Sequence, residues 1–478
     1  MTDQALLTDK IQSYLMALSP RAVGTLVRGL ERARQSGKGD PHVELILAAS
    51  AALLRGEALD RSAPRDDRPL PTATRRGHLE RLFFSPLDTF LVNEHLPRKQ
   101  EGRVYRPYLN EIWQWLERDL LPAEIRQARQ DLQEPHSDDD KAHERVAALR
   151  KMATQALAEA MARANDSDRE RRRLSMVLGG DRAFADLQDV TKLFLAEPWL
   201  TRFLDRMPTS LTERRLKQDT DVLTLVEAHA RKHPDYIAML AATVLDRADA
   251  PWSLGTFATR LAGTNKARDL SRSPFAPFMD VVISEAERLS ILARSQRDNP
   301  DPVAFSEAVS GYANLMRGLE FDMDLSGADA WRGRLSETRR EMSQIVTSEL
   351  QTASGAVRRA LAVPKVDRDG RWKADSHALD DAVRTLRVLA MARGTAETLA
   401  INDVSKRTRQ TVEQTLEIIT RSLLSDFAKQ KGASRAAHLS AIDAAILLSE
   451  VYFGPDYAGQ LRRSRQSALA AVEASSAA

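Results

Sequence analysis

The sequence predicts an all-α protein, a multi-helix assembly of helical hairpins and bundles with no substantial β-sheet. An irregular helical superhelix is one arrangement open to it. Ala, Leu and Arg are abundant, and these are strong helix formers. Apolar positions recur at three- and four-residue spacings, whereas no alternation of period two persists beyond a few residues. Gly, Pro and capping residues punctuate the chain at helix-length intervals. No fixed repeat period of the kind that builds regular solenoids is present.

The N-terminal region, 1–60, reads as a three-helix unit. An amphipathic stretch over 4–18 stops near Ser19-Pro20, and Pro20 suits the first turn of a second helix ending at Gly37-Lys38-Gly39. Asp40 and Pro41 then supply a cap and a first-turn proline for a third helix with Val43, Ile46, Leu47, Leu53 and Leu54 on one face. The proline-rich stretch 61–75 reads as a linker.

Residues 76–133 form an aromatic-rich helical module. Phe83, Phe84, Phe90, Tyr105, Tyr108, Trp113 and Trp115 crowd together here with Arg98, Lys99, Arg103, Arg106 and Arg118. Pro107 should open a helix whose inner face carries Tyr108, Ile112, Trp115 or Leu116, and Asp119 or Leu120. Trp113 and Trp115 lie roughly 160–200° apart on a helix, so one should look outward or meet a different neighbour.

A second linker at 134–140 leads into a central helical region, 140–362. It opens with a long Ala-rich helix to about 165. Ser167 and Glu170 make a capping box for a short helix that Gly179-Gly180 ends. More helices follow, separated at Pro198, Pro208, Pro234, Pro251, Pro274, Pro277 and Pro300–Pro302. A third linker spans 363–373.

The segment 375–473 reads as a C-terminal helical bundle. Its longest helix is expected to start near Thr395, to carry Val412, Leu416, Ile419, Leu423 and Phe427 on one face, and to end at Gly432. A return helix with Leu439, Ile442, Ile446 and Val451 and a last helix over 455–473 complete it, and the Ala/Ser-rich tail should fray. The apolar seam suits an intramolecular bundle or a homodimer equally.

Cysteine is absent, which removes disulfides, thiolate nucleophiles and zinc–thiolate sites. The N-terminus has no basic segment leading into an apolar one, and the longest apolar run, Leu45–Leu54, is too short to span a bilayer. A cytoplasmic protein without a membrane span is expected. A net charge of +3 gives little long-range pull on polyanions. The excess of Arg over Lys fits either guanidinium chemistry at interfaces or the codon bias of a GC-rich bacterial genome.

Phosphate-loop, dinucleotide, hydrolase-elbow, metalloprotease and EF-hand signatures are missing. His229 and His233 share a helical face, but His233 before Pro234 also suits a helix C-terminus. His136, Asp138, Asp139, Asp140 and His143 suit a solvated helix start more than a cation site. No metal or cofactor is therefore expected. The aromatic cluster is either a local core, a docking surface anchored by Arg106 with Trp113 or Trp115, or a base-stacking surface. Arg169, Arg171, Arg172 and Arg173 oppose the helix dipole, so they are either paired surface residues or contacts to an anion or nucleic-acid phosphate. The expected function is a non-catalytic intracellular scaffold or regulatory adaptor that binds proteins through helical surfaces. The alternatives are a nucleic-acid-binding protein and a helical enzyme with an unrecognised metal site.

Overall fold

The structure, a computed structural model, describes residues 79–132, 139–296 and 301–477, all within one unit, Arg75–Ala478. The expected three-helix unit over 1–60 and the linker at 61–75 lie outside the described residues. The fold is all-α. Its only strands among the described residues are β1 (Leu91–Val92) and β2 (Val104–Tyr105), which pair in parallel, Leu91 with Val104 and Val92 with Tyr105.

Helix α1 (Tyr108–Trp115) begins right after Pro107, as the sequence suggests. It then widens into a π-helical turn, Leu116–Leu120, in which the Leu121 N–H donates to the Leu116 carbonyl at 2.8 Å. The extra residue in that turn rotates everything after it, so Leu116 and Leu121 are buried while Asp119 is exposed. Helix α2 (Pro122–Asp131) continues with Ile125 and Ala128 inside.

The Ala-rich helix α3 (Asp139–Asp166) and the short α4 (Asp168–Val177) follow the expected boundaries. Ser167 Oγ accepts the Glu170 N–H, which is the cap read from the sequence. Gly179 and Gly180, at φ of 90° and 134°, turn the chain into α5 (Asp181–Arg206). Pro198 does not separate helices; it stands inside α5. A proline there forfeits a backbone hydrogen bond at a cost of about 3 kcal/mol. Burial of Leu193, Phe194, Leu200 and Phe203 on both sides of it holds the helix together.

The middle of the chain is α6 (Glu213–Gln218), α7 (Thr220–Lys232), α8 (Ile237–Arg247), α9 (Ser253–Ala262), α10 (Ala267–Leu270), α11 (Ala276–Ser295) and α12 (Pro302–Asp322). Asp301 caps α12 by accepting the Val303 and Ala304 N–H groups at 2.9 and 3.2 Å, with Pro302 at the first position. α8 and α11 are buried nearly throughout and form the centre of the core.

Helix α13 (Asp329–Ala360) is the longest described, and it packs on α11, α14 (Ser376–Thr395) and α15 (Asn402–Phe427). Residues 363–373 are non-helical, as expected. Thr395 ends a helix rather than starting the long one, and Gly432 opens α16 (Gly432–Phe453) rather than ending α15. Gly432 has φ of 55°, so it sits at the turn itself. The seam residues Val412, Leu416, Leu423 and Phe427 are buried among helices of this same chain. α17 (Pro455–Ala477) continues through the Ala/Ser tail. Among the described residues one helix, α16, is long and apolar enough to cross a membrane by length and composition. It packs on α14, α15 and α17, with Ile442, Ile446 and Leu448 inside.

Candidate functional site

The densest gathering of chemistry-bearing side chains lies where the loop between β1 and β2 meets α5, α11 and α13. Lys99 projects from that loop toward Asp186 and Asp189, which lie one helical turn apart on the inner face of α5. Its Nζ is 2.5 Å from Asp186 Oδ1 and 2.7 Å from Asp189 Oδ2, and it donates to the Arg103 carbonyl at 2.7 Å. Three acceptors match the three protons of an ammonium group. The carboxylates are occupied from the other side too: Asp186 Oδ2 accepts the Tyr105 N–H at 2.8 Å, and Asp189 Oδ2 the Gly102 N–H at 3.0 Å. Burial pushes the Asp189 carboxyl above the usual range, with Lys99 opposing that shift.

A second chain of ion pairs continues from it. Arg103 meets Glu285 at 2.8 Å, Glu285 meets Arg288 at 2.8 Å, and Arg288 meets Glu94 at 3.2 Å. Burial alone would raise Glu285, but Arg288 and then Arg103 outweigh it and hold the carboxyl at about 2. On α13, Arg334 pairs with Glu287 at 2.9 Å, and the Trp331 indole N–H donates to Asp280 at 2.8 Å. Buried charges persist only when paired in this way. The network clamps the loop and three helices into one frame.

The space beside Lys99 measures about 20 Å³, and its lining includes His95, Tyr105 and Tyr108. That is the scale of a single water. His95 Nε2 lies 3.3 Å from the Tyr108 hydroxyl, and the three rings meet edge to face. A wider depression of about 460 Å³ opens next to it, between Glu101, Lys192, Tyr236, Pro234, Pro274 and Pro277. Lys192 and Glu101 pair there at 2.5 Å.

Of the readings open for the aromatic cluster, Trp113 and Trp115 follow the local core and not the docking surface. Trp113 is 1% exposed and Trp115 8%, so neither ring is available as a surface anchor. Trp113 packs among Phe83, Phe84 and Phe194 with ring centroids 5.2–6.0 Å apart for the first two, and Phe83 meets Phe194 at 5.4 Å. Both tryptophans are covered because α1 is enclosed on opposite sides. Arg106 is at the surface, where Nε donates to Asn93 Oδ1 at 2.9 Å and Asp88 lies 3.8 Å away. The module places Arg106 and the tryptophans apart, outside against inside.

Arg169, Arg171, Arg172 and Arg173 are all exposed on α4. Arg171 sits 5.8 Å from the centre of the Phe184 ring, and Arg173 is a loose 3.9 Å from Glu170. His229 and His233 lie against Trp199 rather than around a shared centre. Among the described residues no three His, Asp or Glu side chains converge as a metal-ligand set. His136 and Asp138 fall outside the described residues, as do the side chains of Asp139 and Asp140.

Two features escaped the sequence reading. Asp186 and Asp189 sit on the buried stripe of α5 with Ala183, Leu187 and Val190. Acidic residues inside an otherwise apolar helix face are the signal that could have found the clamp. The other is a groove of about 640 Å³ between the end of α12 and the start of α13, lined by Met316, Leu319, Met323, Leu325 and Leu335. Phe321 stands beside it, 87% exposed. Its charged rim is paired: Arg332 with Asp329, Arg339 with Glu320 and Lys217 with Asp322. No known family model matches the chain, and no curated protein or solved structure matches it.

Proposed function

We propose that this chain is a non-catalytic scaffold or adaptor that binds other proteins through its helical surfaces. The observation that carries the reading is the pairing of an open apolar groove with a large exposed ring: Phe321 beside Met316, Leu319 and Leu335. An exposed aromatic ring at the mouth of an apolar groove with a polar rim is the usual anatomy of a protein-binding surface. The ion-pair clamp supports it from the other direction. Lys99, Asp186 and Asp189 satisfy one another, so they hold a frame rigid instead of presenting reactive groups.

A photo-crosslinking residue at Phe321 of the full chain, in the source cell, tests this. A discrete protein adduct that survives nuclease, and that is absent when the probe sits at exposed Asp369, is the expected result. No protein adduct at Phe321 overturns the groove as the binding surface.

A second reading, nucleic-acid binding, draws on the exposure of all four arginines of α4. It requires strongly salt-dependent retention on heparin that is lost when Arg169 and Arg172 are reversed in charge.

A further inference from the structure

We infer that the outer face of α4 is a docking surface for an acidic protein segment that carries an apolar side chain between its carboxylates. The inference rests on the scaffold reading and names the surface and the partner chemistry.

At about 100° per residue, Arg169, Arg172, Arg173 and Met176 fall within roughly 100° of arc on the side of α4 opposite its buried Leu174 and Leu178. Met176 is 81% exposed, and Val177 beside it is exposed too. The surface is firmly mounted. Ser167 caps the helix, Ser175 Oγ donates to Asp181 Oδ1 at 2.7 Å across the Gly179-Gly180 turn, and Arg171 lies over Phe184 on α5.

The arginines are not spent internally. Among the described residues the Arg169 and Arg172 side chains hold no ion pair or hydrogen bond, while Arg173 has a 3.9 Å approach to Glu170 and lies within electrostatic reach of Asp119. Asp166, Asp168 and Glu170 gather around the first turn, where the helix dipole favours acids. Arg172, Arg173 and Met176 lie further along, past those carboxylates. Like charges at three- and four-residue spacing repel, as do Arg169 with Arg172 and Arg173, and an external anion relieves that repulsion. Asp119, on the adjoining π-helical turn, offsets part of the Arg173 charge, so Arg169 and Arg172 carry most of the pull on an external carboxylate.

Met176 decides what kind of anion fits. A phosphate backbone offers an exposed methionine nothing, and no exposed aromatic ring interleaves with the arginines of α4 to stack a base. Arg and Met are both enriched in protein interfaces, where a flexible thioether fills a shallow apolar contact while guanidinium groups take carboxylates in bidentate fashion. An acidic segment with one central apolar residue satisfies both parts of the face.

The test is fluorescence anisotropy on the full chain with a labelled peptide of repeated Glu-Glu-Leu-Glu units. Poly-glutamate of equal charge and a random-sequence DNA duplex serve as comparisons. The expected result is tighter binding of the leucine-containing peptide than of either comparison. Arg169→Glu with Arg172→Glu should weaken it about tenfold or more, and Met176→Gln should weaken it while leaving poly-glutamate binding unchanged. All three positions are solvent-facing, so unchanged melting will confirm that the variants fold. Absence of peptide binding, or binding indifferent to these changes, overturns the inference, and so does tighter binding of the duplex. If the peptide fails while Phe321 still crosslinks to a protein, the scaffold reading stands and only this surface is lost. If the Phe321 crosslink fails as well, the groove is lost with it.

Discussion

His233 lies flat on Trp199, with ring centroids 4.1 Å apart and planes 6° from parallel. His233 caps the C-terminus of α7, and His229 one turn back packs between Trp199 and Phe203 while its Nδ1 meets the Leu225 carbonyl at 2.8 Å. Spacing that could have served a metal instead stacks two imidazoles on an indole. Burial lowers the pKa of His233 below the 6.5 of a free imidazole, with Lys232 and His229 adding to the shift. The folded state therefore binds this proton less readily than the unfolded chain. Stability is full above the unfolded pKa and is lost as pH falls toward the folded one. Tm should drop on going from about pH 7 to about pH 5, within the range where histidine titrates. His233→Gln should flatten that drop, and parallel Tm profiles for the two proteins would refute the assignment.

Lys99 bridges two buried carboxylates, so its removal should be costly in a specific way. Lys99→Met leaves Asp186 and Asp189 without their shared cation and should cost about 3–5 kcal/mol in denaturant unfolding. Asp189 is already raised by burial, and losing Lys99 raises it further. A carboxyl raised in the folded state stabilises below its unfolded pKa and ceases to as pH rises through the folded one. The variant's deficit should therefore be larger at neutral pH than in mild acid. Adding Asp186→Asn and Asp189→Asn to Lys99→Met should restore part of the loss, because no unpaired charge then stays buried. A deficit independent of pH and unrelieved by the amides would show that the clamp holds through packing alone.

Trp113 and Trp115 separate a core from a docking surface by simple truncation. Each is buried, and Trp113 is in ring contact with Phe83 and Phe84. Replacing either with Ala should cost roughly 3–5 kcal/mol and lower Tm accordingly. A Tm change near zero for one of them would return it to the docking role that the sequence left open beside a local core.

What the sequence disclosed, and what it concealed, follows from the range of the forces involved. Local signals were readable: Ser167 capping Glu170, the Gly179-Gly180 turn, the helix break at Pro300–Pro302, and the Val412–Phe427 face. Each depends on residues within a turn or two of one another. Misreadings arose where distant packing overrode a local rule. Pro198 lies inside a helix because the core grips both flanks, and the π-helical turn after Trp115 rotates the face that strict periodicity assigns. The clamp was invisible for the same reason: Lys99 and Asp186 are 87 positions apart in the chain. No spacing rule links them, and only the buried position of the two acids on α5 hints at a partner.

Gly102 offers the sharpest test of how the loop is seated. Its φ of 79° is open to glycine and strained for other residues, and its N–H donates to Asp189. A Cβ there would also stand 2.9 Å from the carbonyl oxygen of Ala238 on α8, a backbone atom that cannot swing aside. Gly102→Ala thus meets conformational strain and a steric block together. It should destabilise the chain by more than the ~1 kcal/mol of a strained backbone alone. Because the loop carries Lys99 and Arg103, hydrogen exchange should quicken at Gly102 and Tyr105, whose amides are tied to Asp189 and Asp186. Fast exchange confined to these amides would mean the loop lifts off as a unit. Unchanged protection with lower Tm would mean instead that α8 yields to the new methyl group and the clamp stays closed.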